Sequence, residues 1–575
     1  MPQTSVPTLL EQIAALLEIK GENPFKVRAY YNAAKAVSEV EDLDAVVKTK
    51  RLKEIPGVGD AIAKKLEEYA ETGNMAYFEE LTAEVPLSLL ELLQIPNLGP
   101  RKIKVLYDTL GITNVGELEY ACKENRLASL FGFGTKSQEK ILRGIEFIKQ
   151  HKGEFLFGDV YPLAMKIKEG FERFTSPGLV AVCGSIRRRK EIVRDIDILV
   201  AGGDPKKLST HFQSLPEVAE VIAEGETKTS CRLSSGIEAD LRVVTEESYP
   251  CALIYFTGSK EHNVKLRGIA KKRDLKLNEY GLFKNGDSIP FRTEEDVYKF
   301  LGLAYIAPEL REDMGEIEAA AEGGLPDLVR LEDLKGTFHV HTHLSDGVDT
   351  LEKLFDAARK MGLSYIGISD HSKTAAYAGG LKIDTIRKQW DEIDSFNEKN
   401  PDFYLFKGIE SDILPDGDLD YDESILEGFD FVIASVHSNF GMKKDAMESR
   451  IVRAMKNPFT TMLGHPTGRL LLARDGYDVD MKNIVETAAE HHVIIELNAS
   501  PYRLDIDWRS LRMAKQRGVM IAINPDAHST AGLADLFYGV GIARKGWQEK
   551  ADILNTRTPS EVGKVLKRIR DEKRR

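Results

Sequence analysis

The sequence has little cysteine and no long apolar run. None of its apolar stretches reaches the ~18 residues that a membrane-spanning helix needs. Its first residues, MPQTSVPTLLEQ, lack the basic stretch and apolar core of a secretory signal. The four cysteines, Cys122, Cys183, Cys231 and Cys251, are widely spaced and form no metal-binding or redox pair. These absences predict a protein of the reducing cytoplasm with no membrane partner.

The chain also lacks a basic excess, since its formal net charge is −12. Residues 314–575 supply most of this charge, with 35 Lys and Arg against 43 Asp and Glu, and the rest of the chain is close to neutral. Binding of nucleic acid requires basic surface locally rather than in total. The net charge therefore excludes no DNA-binding function.

A chain of 575 residues is too long for one core and predicts several domains. The first 150 residues carry apolar residues at helical spacing, interrupted by Gly and Pro turns. Strand-like apolar runs follow from about residue 160, and in the last part of the chain they alternate with helical segments. The predicted division is two helical domains (1–85, 86–150), an α/β region to residue 313, an acidic linker (314–335) and a parallel βα domain (336–575).

A glycine turn that enters a helix occurs three times near the N-terminus, at 55–73, 95–112 and 131–145. This is the helix-hairpin-helix pattern, in which glycine lets the backbone approach a phosphate and the helix start offers unpaired N–H groups. Such contacts hold DNA without reading its sequence. An ordinary αα-hairpin with incidental lysines is the alternative, but three copies favour DNA binding. The predicted contacts are Gly57, Gly59, Lys64, Gly99, Arg101, Lys102, Gly132, Gly134 and Lys136.

Residues 184–197 combine a Gly-Ser turn after a buried strand with several arginines and a D-x-D pair. Asp195 and Asp197 lie two apart on a strand and therefore on one face, and Asp240 begins a later strand-like segment. Three carboxylates can hold two divalent ions that activate a hydroxyl and neutralise pyrophosphate. A D-x-D pair alone also occurs at strand edges without function. The Gly-Ser turn eleven residues before it is the nucleotidyltransferase signature.

The segments YFTGSKEHN (255–263) and LNEYGL (277–282), with the Gly-Ser turn, resemble the family X DNA polymerases over about residues 1–313. The resemblance implies a nucleotidyltransferase palm (151–250) and a thumb (251–313). It also implies nucleotidyl transfer with Mg²⁺ or Mn²⁺, from deoxynucleoside triphosphates (dNTPs) to gapped or primer–template DNA. The implied catalytic metal ligands are Asp195, Asp197 and Asp240. The implied nucleotide contacts are Gly184, Ser185, Arg188, Tyr255, Phe256, Gly258, Asn263 and Arg267, with Tyr255 and Phe256 as the steric gate against ribose.

Two positions depart from the vertebrate members of that family. The stretch FLFGDVY (155–161) lacks their triphosphate-binding arginine, and Glu238 replaces an arginine two residues before the third aspartate. These departures bear on how the nucleotide is positioned and not on the reaction. Lys65 falls at the position of the Schiff-base lysine with which those relatives remove 5′-deoxyribose phosphate. That role needs a lowered pKa, and the alternative is that Lys64 and Lys65 are solvated phosphate contacts.

Nine of the twelve histidines follow residue 338. In FHVHTHLSDG (338–347), His339 and His341 are predicted to alternate on one face of a strand. Further His, Asp and Glu residues end later apolar runs, and the strand ends of a βα barrel meet on one face. These residues are therefore predicted to form one site, although a single histidine at a strand end would more often be structural. Imidazole and carboxylate ligands favour Zn²⁺, Mn²⁺ or Fe²⁺.

This pattern resembles the PHP (polymerase and histidinol phosphatase) superfamily over residues 336–575. The resemblance implies a distorted, TIM-like βα barrel with up to three Mn²⁺, Zn²⁺ or Fe²⁺ ions. The implied ligands are His339, His341, Asp346, His371, Glu410, His437, His465, Asp526 and His528.

The two resemblances together describe a bacterial-type family X DNA polymerase with a C-terminal PHP domain, expected as a monomer in the cytoplasm at the bacterial nucleoid. The expected function is short-gap filling in base excision or end-joining DNA repair, with 3′→5′ exonuclease, abasic-site endonuclease and 3′-phosphatase activity in the PHP domain. Two alternatives remain for that domain: a small-molecule phosphatase, or a non-catalytic scaffold that positions DNA. The helix-hairpin-helix copies count against the first alternative, and the intact ligand set counts against the second.

Overall fold

The structure, a computed structural model, describes residues 6–38, 40, 46, 51–95, 98–127, 130, 132–149 and 153–574. The chain divides into two compact units, Met1–Lys149 and Gln150–Arg575, and each has its own apolar core. Among the described residues, none belongs to a helix with the length and apolarity that crossing a bilayer requires.

The first unit is built from helices that share one core. In its first helix Leu9, Ile13 and Leu16 recur at spacings of three and four, so they lie on one face and are buried. The helices are α1 (Val6–Lys20), α2 (Pro24–Ser38), α3 (Asp60–Thr72), α4 (Ala76–Glu84), α5 (Leu89–Leu92), α6 (Pro100–Leu110), α7 (Val115–Lys123) and α8 (Thr135–Lys149).

The second unit begins with a five-stranded mixed sheet in the order β2-β4-β7-β6-β5, which lies in the region predicted as the palm and is called the palm below. On strand β4, Ile196, Ile198 and Val200 alternate into one core, and Leu199 and Ala201 on the opposite face are buried in a second cluster. The strands are β1 (Phe155–Leu156), β2 (Val180–Val182), β3 (Ile192–Val193), β4 (Asp195–Ala201), β5 (Val218–Glu224), β6 (Lys228–Leu233) and β7 (Glu238–Val244), with β1 paired to β3. Helices α9 (Phe157–Glu172), α10 (Gly184–Arg187) and α11 (Pro205–Gln213) accompany them.

The thumb follows as three helices and a small antiparallel sheet. Its elements are α12 (Tyr249–Thr257), α13 (Lys260–Lys271), β8 (Leu275–Asn278), β9 (Gly281–Lys284), β10 (Asp287–Ile289) and α14 (Glu294–Phe300). The segment 314–335, predicted as a linker, contains α15 (Glu316–Glu322), whose Ile317 and Ala320 pack in the thumb core. Its buried Glu316 hydrogen-bonds His262 at 2.7 Å. The segment is therefore a packed part of the unit, which its acidic composition did not indicate.

Seven parallel strands follow in chain order and form a nearly closed barrel. They are β11 (Gly336–Val340), β12 (Tyr365–Ile368), β13 (Tyr404–Asp412), β14 (Phe431–Ser435), β15 (Met462–Leu463), β16 (Ile494–Asn498) and β17 (Ile521–Asn524). Ala527 closes the ring, because its N–H donates to the His339 carbonyl at 3.0 Å and its carbonyl accepts from the His341 N–H at 2.9 Å. The helices are α16 (Leu351–Lys360), α17 (Ile383–Lys399), α18 (Glu423–Leu426), α19 (Lys444–Lys456), α20 (Met481–Glu490), α21 (Trp508–Gln516), α22 (Leu536–Lys545) and α23 (Pro559–Lys573).

Aromatic rings fill the inside of the barrel. Phe338, Tyr365, Phe406 and Phe431 are buried together, and the Phe338 and Phe431 ring centroids lie 5.0 Å apart. Gly408 leaves the space they need, since a Cβ at this position would lie 2.1 Å from the Phe431 ring. The interior is a packed core, so polar chemistry is confined to the strand ends.

Asn555 joins the first and last strands of the barrel. Its side chain is fully buried, donates to the carbonyls of Gly336 (3.1 Å) and Ile523 (2.7 Å), and accepts from the Ile523 N–H (2.7 Å). Asn555→Ala should therefore destabilise the barrel by about 3 kcal/mol, because three buried hydrogen bonds are lost. The apparent melting temperature of the full chain, followed by circular dichroism, should fall by roughly 6–12 °C.

The matched control for this experiment is Asn483→Ala, which removes an amide that hydrogen-bonds the partly exposed Glu448. Its effect should stay within roughly 2 °C, because water replaces the lost partner. Equal shifts in the two variants would contradict the role assigned to Asn555.

Candidate active sites

The palm aspartates converge because β4 and β7 are parallel neighbours in register. Asp197 lies opposite Asp240, and Asp195 lies opposite Glu238. Burial raises the pKa of Asp197 to about 7, and the charges of Asp195 and Asp240 add to this effect. Burial and then Asp240 also raise the pKa of Asp195. Carboxylates that resist ionising together are suited to bind divalent cations, whose charge relieves the repulsion.

Two side chains on the neighbouring strand β6 contact Asp240. Ser230 donates to Oδ1 at 2.5 Å, and the Lys228 Nζ lies 2.7 Å from Oδ2. Sequence reasoning missed both residues, because their only signal is the register of an antiparallel strand pair, which places Ser230 opposite Asp240.

The Gly-Ser turn lies directly against the carboxylates. Gly184 has a φ of +60°, and a Cβ at this position would lie 2.2 Å from the Asp197 Oδ2. Only glycine fits both the conformation and the space. Ser185 follows at the start of α10, and among the described residues its buried Oγ has no hydrogen-bond partner. A hydroxyl and helix N–H groups are thus brought beside the triad.

Arg188 lies between this turn and the thumb. Its Nη1 donates to the Thr257 carbonyl at 2.5 Å, and its Nε pairs with Glu312 at 3.1 Å. The left-handed Gly258 leaves room for the guanidinium, since a Cβ there would lie 3.0 Å from Nη1. Arg188 is also one of the charges that lower the pKa of Asp195. The predicted nucleotide contact therefore lies near the triad.

The predicted gate residues end helix α12. The rings of Tyr255 and Phe256 lie 5.2 Å apart, edge to face, and the Arg242 guanidinium lies 5.3 Å from the Phe256 ring. Asn263 donates to the Tyr255 carbonyl at 2.7 Å, and the Arg267 Nε donates to the Asn263 carbonyl at 3.3 Å. Asn263 and Arg267 thus hold the end of the gate helix as well as lying beside it.

The nine predicted ligands of the barrel lie together at the carboxyl ends of its strands. Three groups have ligand atoms within 4.8 Å of one another: His341, Asp346, His371 and His528; His339, His341 and Asp526; and His371, Glu410 and His437. The ninth residue, His465, has its Nε2 3.0 Å from the Glu410 Oε1. Because His341 and His371 are shared between groups, the cluster is continuous.

The donor atoms of this cluster fit divalent metal ions. His341 is fully buried, and within the part of the chain that the structure describes neither ring nitrogen has a hydrogen-bond partner. Burial, His528 and His371 lower the pKa of His341 to about 3, so its ring is neutral. Burial alone would raise the pKa of Glu410, but His437 and His339 hold it well below its ordinary value. Neutral imidazole beside an ionised carboxylate suits Zn²⁺, Mn²⁺ or Fe²⁺.

Three of the nine residues have a left-handed backbone. The φ angle is +58° at His339, +23° at His465 and +53° at Asp526. Strand β11 also shifts register after Thr337 and ends at Val340. The prediction that His339 and His341 alternate regularly on a strand is therefore wrong, and an irregular strand end brings their ring centroids to 5.2 Å. Such strain persists where the surrounding structure fixes a functional geometry.

Two carboxylates that sequence reasoning missed orient these predicted ligands. Glu496 hydrogen-bonds the His339 Nδ1 through Oε1 and accepts the His465 N–H through Oε2, both at 2.6 Å. Asp412 hydrogen-bonds the His437 Nδ1 at 2.5 Å. Partners of this kind fix the ring orientation and raise ligand basicity. A signal was present, because an acidic residue inside the apolar run VIIELN (493–498) needs a buried partner.

The three helix-hairpin-helix turns are present in the first unit. Gly59 and Gly99 are the N-caps of α3 and α6, and the Gly134 carbonyl accepts from the Ser137 N–H in the first turn of α8. Gly57 and Gly132 have φ angles of +98° and +83°. Of the predicted basic contacts, Lys64, Arg101 and Lys136 are exposed, and Lys102 lies 5.4 Å from the Phe133 ring.

Lys65 lies in a different environment from Lys64. Its Nζ lies 3.0 Å from the Tyr30 hydroxyl and 4.0 Å from the centroid of the Tyr77 ring. Burial lowers the pKa of Lys65, and the charge of Lys26 lowers it further.

The carboxylate triad beside a Gly-Ser turn and the histidine-rich barrel define a nucleotidyltransferase-type polymerase joined to a PHP-type metal domain. Family models match the chain in that order: a helix-hairpin-helix domain (1–75), a SAM-like helix-hairpin-helix tandem (89–146), a DNA polymerase beta thumb (252–312) and a PHP domain (337–500).

Similar proteins agree with this architecture. The DNA polymerase/3′-5′ exonuclease PolX of Bacillus subtilis is 38% identical over 572 residues, 99% of this chain and 100% of the relative. DNA polymerase lambda of Rattus norvegicus is 26% identical over 336 residues, which are 53% of this chain and 55% of the relative. A probable phosphatase of Thermoanaerobacter sp. (strain X514) is 27% identical over 261 residues, which are 42% of this chain and 98% of the relative. The chain belongs to the bacterial family X DNA polymerases that carry a C-terminal PHP domain.

Replacing Glu496 with Gln should weaken metal binding in the barrel, because a neutral amide no longer matches the donors of both His339 and His465. The affinity for Mn²⁺ should fall by about 10–100-fold. Isothermal titration of the metal-stripped full chain measures it. Glu486→Gln removes an exposed carboxylate that pairs with Arg517 and should leave the affinity unchanged. Parental affinity in the Glu496 variant would mean that Glu496 does not orient the ligands.

Proposed function

We propose that this chain is a DNA-directed DNA polymerase that fills short gaps during repair, and that its PHP domain degrades DNA from the 3′ end. One observation carries the proposal. The triad of Asp195, Asp197 and Asp240 lies in register beside a Gly-Ser turn, in a chain related along its whole length to an enzyme named for both activities.

In the palm, Asp195, Asp197 and Asp240 would hold two Mg²⁺ or Mn²⁺ ions. Bound ions of this kind activate the attacking hydroxyl and neutralise the leaving pyrophosphate. The protein groups bind and orient the dNTP: N–H groups at the start of α10 and the Ser185 hydroxyl contact the phosphates, and Arg188 supplies positive charge. Tyr255 and Phe256 lie against the sugar and exclude a 2′-hydroxyl.

In the barrel, the nine clustered residues would hold up to three Mn²⁺, Zn²⁺ or Fe²⁺ ions. Such ions lower the pKa of water and supply a nucleophile for phosphoester hydrolysis. Glu496 and Asp412 keep the imidazoles oriented for this task. We assign abasic-site endonuclease and 3′-phosphatase activity to the same cluster, because both reactions also break a phosphoester bond of DNA. The exposed cations of the helix-hairpin-helix turns hold the DNA backbone.

Two alternatives for the barrel remain distinct from this proposal. For the small-molecule phosphatase, the support is a likeness over 98% of the length of a protein named a probable phosphatase, whose name gives no substrate. A DNA-positioning scaffold has less support, because metal-binding residue types occupy all nine ligand positions. Apart from the linker at 314–335, the domain boundaries remain predictions, as do the monomeric state and the cytoplasmic, nucleoid-associated location.

Asp197→Ala should lower nucleotide addition by about 10²–10³-fold or more and spare 3′ resection, because the two sites use separate residue sets on separate sheets. His339→Ala should have the opposite effect and lose bound metal. Primer extension and 3′ resection are measured on one gapped DNA, beside hydrolysis of histidinol phosphate.

Each result separates the proposals, provided that circular dichroism shows a folded chain. Loss of both activities in Asp197→Ala would contradict independent sites. Parental resection by a metal-depleted His339→Ala variant would favour the scaffold. Hydrolysis of histidinol phosphate without resection of DNA, in the parental protein, would favour the phosphatase.

A second activity, removal of 5′-deoxyribose phosphate, is favoured by the position of Lys65. A Schiff base forms from the neutral amine, so a lysine whose pKa is lowered by burial and a neighbouring cation is the better nucleophile. The Tyr30 hydroxyl accepts a hydrogen bond from the Lys65 Nζ at 3.0 Å and so fixes the position of the amine beside the first hairpin.

Lys65→Ala should abolish borohydride trapping of the chain on DNA that carries a 5′-deoxyribose phosphate. Because its pKa is lowered, Lys65 is neutral at a lower pH than an ordinary lysine, so trapping by the parental chain should begin at a lower pH than an ordinary lysine would allow. Lys35→Ala, an exposed lysine of α2, is the control and should trap at the parental rate. Undiminished trapping by the Lys65 variant would place the nucleophile elsewhere.

A further inference from the structure

Helix α22 of the barrel reaches the nucleotide site of the palm through Lys545. The side chain is fully buried, and its Nζ lies 2.9 Å from the Arg188 carbonyl, 2.5 Å from the Glu312 Oε1 and 3.4 Å from the Glu309 carbonyl. An ammonium group has three N–H donors, so these three acceptors use them all. The barrel therefore contributes a fixed cation beside Arg188.

Glu312 is one carboxylate shared by three cations. Its Oε1 accepts from Lys545 at 2.5 Å and from the Arg188 Nε at 3.1 Å, and its Oε2 lies 3.6 Å from Lys190. The side chain is 9% exposed, so water screens these pairs poorly. The strength of the ion pair between Glu312 and Arg188 therefore depends on how far Lys545 neutralises the charge of Glu312.

We propose that Lys545 is a positioning residue for nucleotide addition: it shares Glu312 with Arg188 and fixes the Arg188 backbone, which weakens the pairing of Glu312 with the Arg188 guanidinium and favours contact of that guanidinium with the triphosphate of the incoming dNTP. The inference rests on the proposed function, in which Arg188 contacts that triphosphate. It makes one residue of the PHP domain part of the apparatus that binds the polymerase substrate.

The reason is electrostatic. With Lys545 present, three cations surround one anion, and the excess positive charge favours a polyanionic nucleotide. Without Lys545, Glu312 would keep Arg188 as its nearest partner, and a phosphate would have to compete with a poorly solvated carboxylate for the same guanidinium. Burial lowers the pKa of Lys545 to about 8 while Glu312 raises it, so the ammonium is charged at neutral pH.

The palm and the barrel pack against each other around Lys545. The next residue of the Gly-Ser turn, Arg189, has its guanidinium 4.4–5.4 Å from the rings of Phe157, Tyr161 and Phe537. Lys545 itself lies 4.9 Å from the Trp508 ring. The palm and the barrel thus meet through a packed interface, and the Lys545 side chain is not exposed to solvent.

The test measures single-nucleotide gap filling by the full chain carrying Lys545→Met, which keeps the length of the side chain and removes its charge. The KM for dNTP should rise about 10-fold, the effect of one charge-assisted contact, while kcat changes by less than about 2-fold. The double variant Lys545→Met with Glu312→Gln removes the competing anion as well, and its KM should return to within about 3-fold of the parental value. Exonuclease activity and the melting curve show whether the barrel is folded.

Arg544→Met is the matched control, because Arg544 precedes Lys545 on α22 and pairs with Glu309 at 2.7 Å without contacting Glu312. Its KM should be parental. A rise as large as that of Lys545→Met would mean general loosening of the interface and would overturn the inference, as would a double variant that shows no rescue.

Arg188→Ala separates this inference from the proposed function. If Arg188→Ala raises the KM and Lys545→Met does not, the inference fails and the nucleotide role of Arg188 stands. If Arg188→Ala leaves the KM unchanged, Arg188 does not contact the triphosphate, and both the role assigned to it and the inference are overturned.

Discussion

Carboxylates crowded at the ends of parallel strands repel one another, and both sites of this chain depend on how that repulsion is balanced. In the palm, burial raises the pKa of Asp197 to about 7, and the charges of Asp195 and Asp240 add to this effect. In the barrel, imidazoles separate the carboxylates, and His437 and His339 keep Glu410 ionised. The first arrangement offers only oxygen ligands, which suit Mg²⁺, and the second offers nitrogen as well, which suits transition metals. One physical problem thus has two solutions in one chain.

Each solution requires a particular backbone. The palm needs parallel strands in exact register, so that Asp197 and Asp240 face each other, and a glycine where any side chain would strike Asp197. The barrel needs left-handed conformations at His339, His465 and Asp526, which lie outside regular strand geometry. Glu496 and the strand-closing Ala527 hold two of these residues by hydrogen bonds. The polar network therefore stabilises the conformations on which the cluster depends.

Local signals explain why much of this could be predicted from the sequence. Each of these signals is a short sequence pattern that can be recognised by itself: the Gly-Ser turn, the D-x-D pair, a hairpin glycine turn, or a His, Asp or Glu residue at the end of an apolar run. Lys545 and Glu312 carry no such signal, because they lie 233 residues apart and meet only when the barrel packs on the palm. Helix α15 was missed because it has few apolar side chains and shows no clear helical pattern. It is stabilised by the packing of these side chains in the thumb core. The irregular end of β11 was missed for a related reason, because the position of the register shift depends on the pairing with the neighbouring strand.

The Gly-Ser turn connects these observations, because the two consecutive arginines that follow it contact different parts of the chain. Arg189 has a φ of +56°, a conformation unusual for a side chain of its size, and this turn of the backbone sends its guanidinium among aromatic rings of the palm and the barrel. Arg188 is directed instead toward Glu312 and the thumb. The barrel thus anchors the residue next to the proposed triphosphate contact, and Lys545 holds the carbonyl of that contact. A polymerase site braced in this way owes part of its geometry to the PHP domain, which gives the fusion of the two domains a structural reason in addition to any shared substrate.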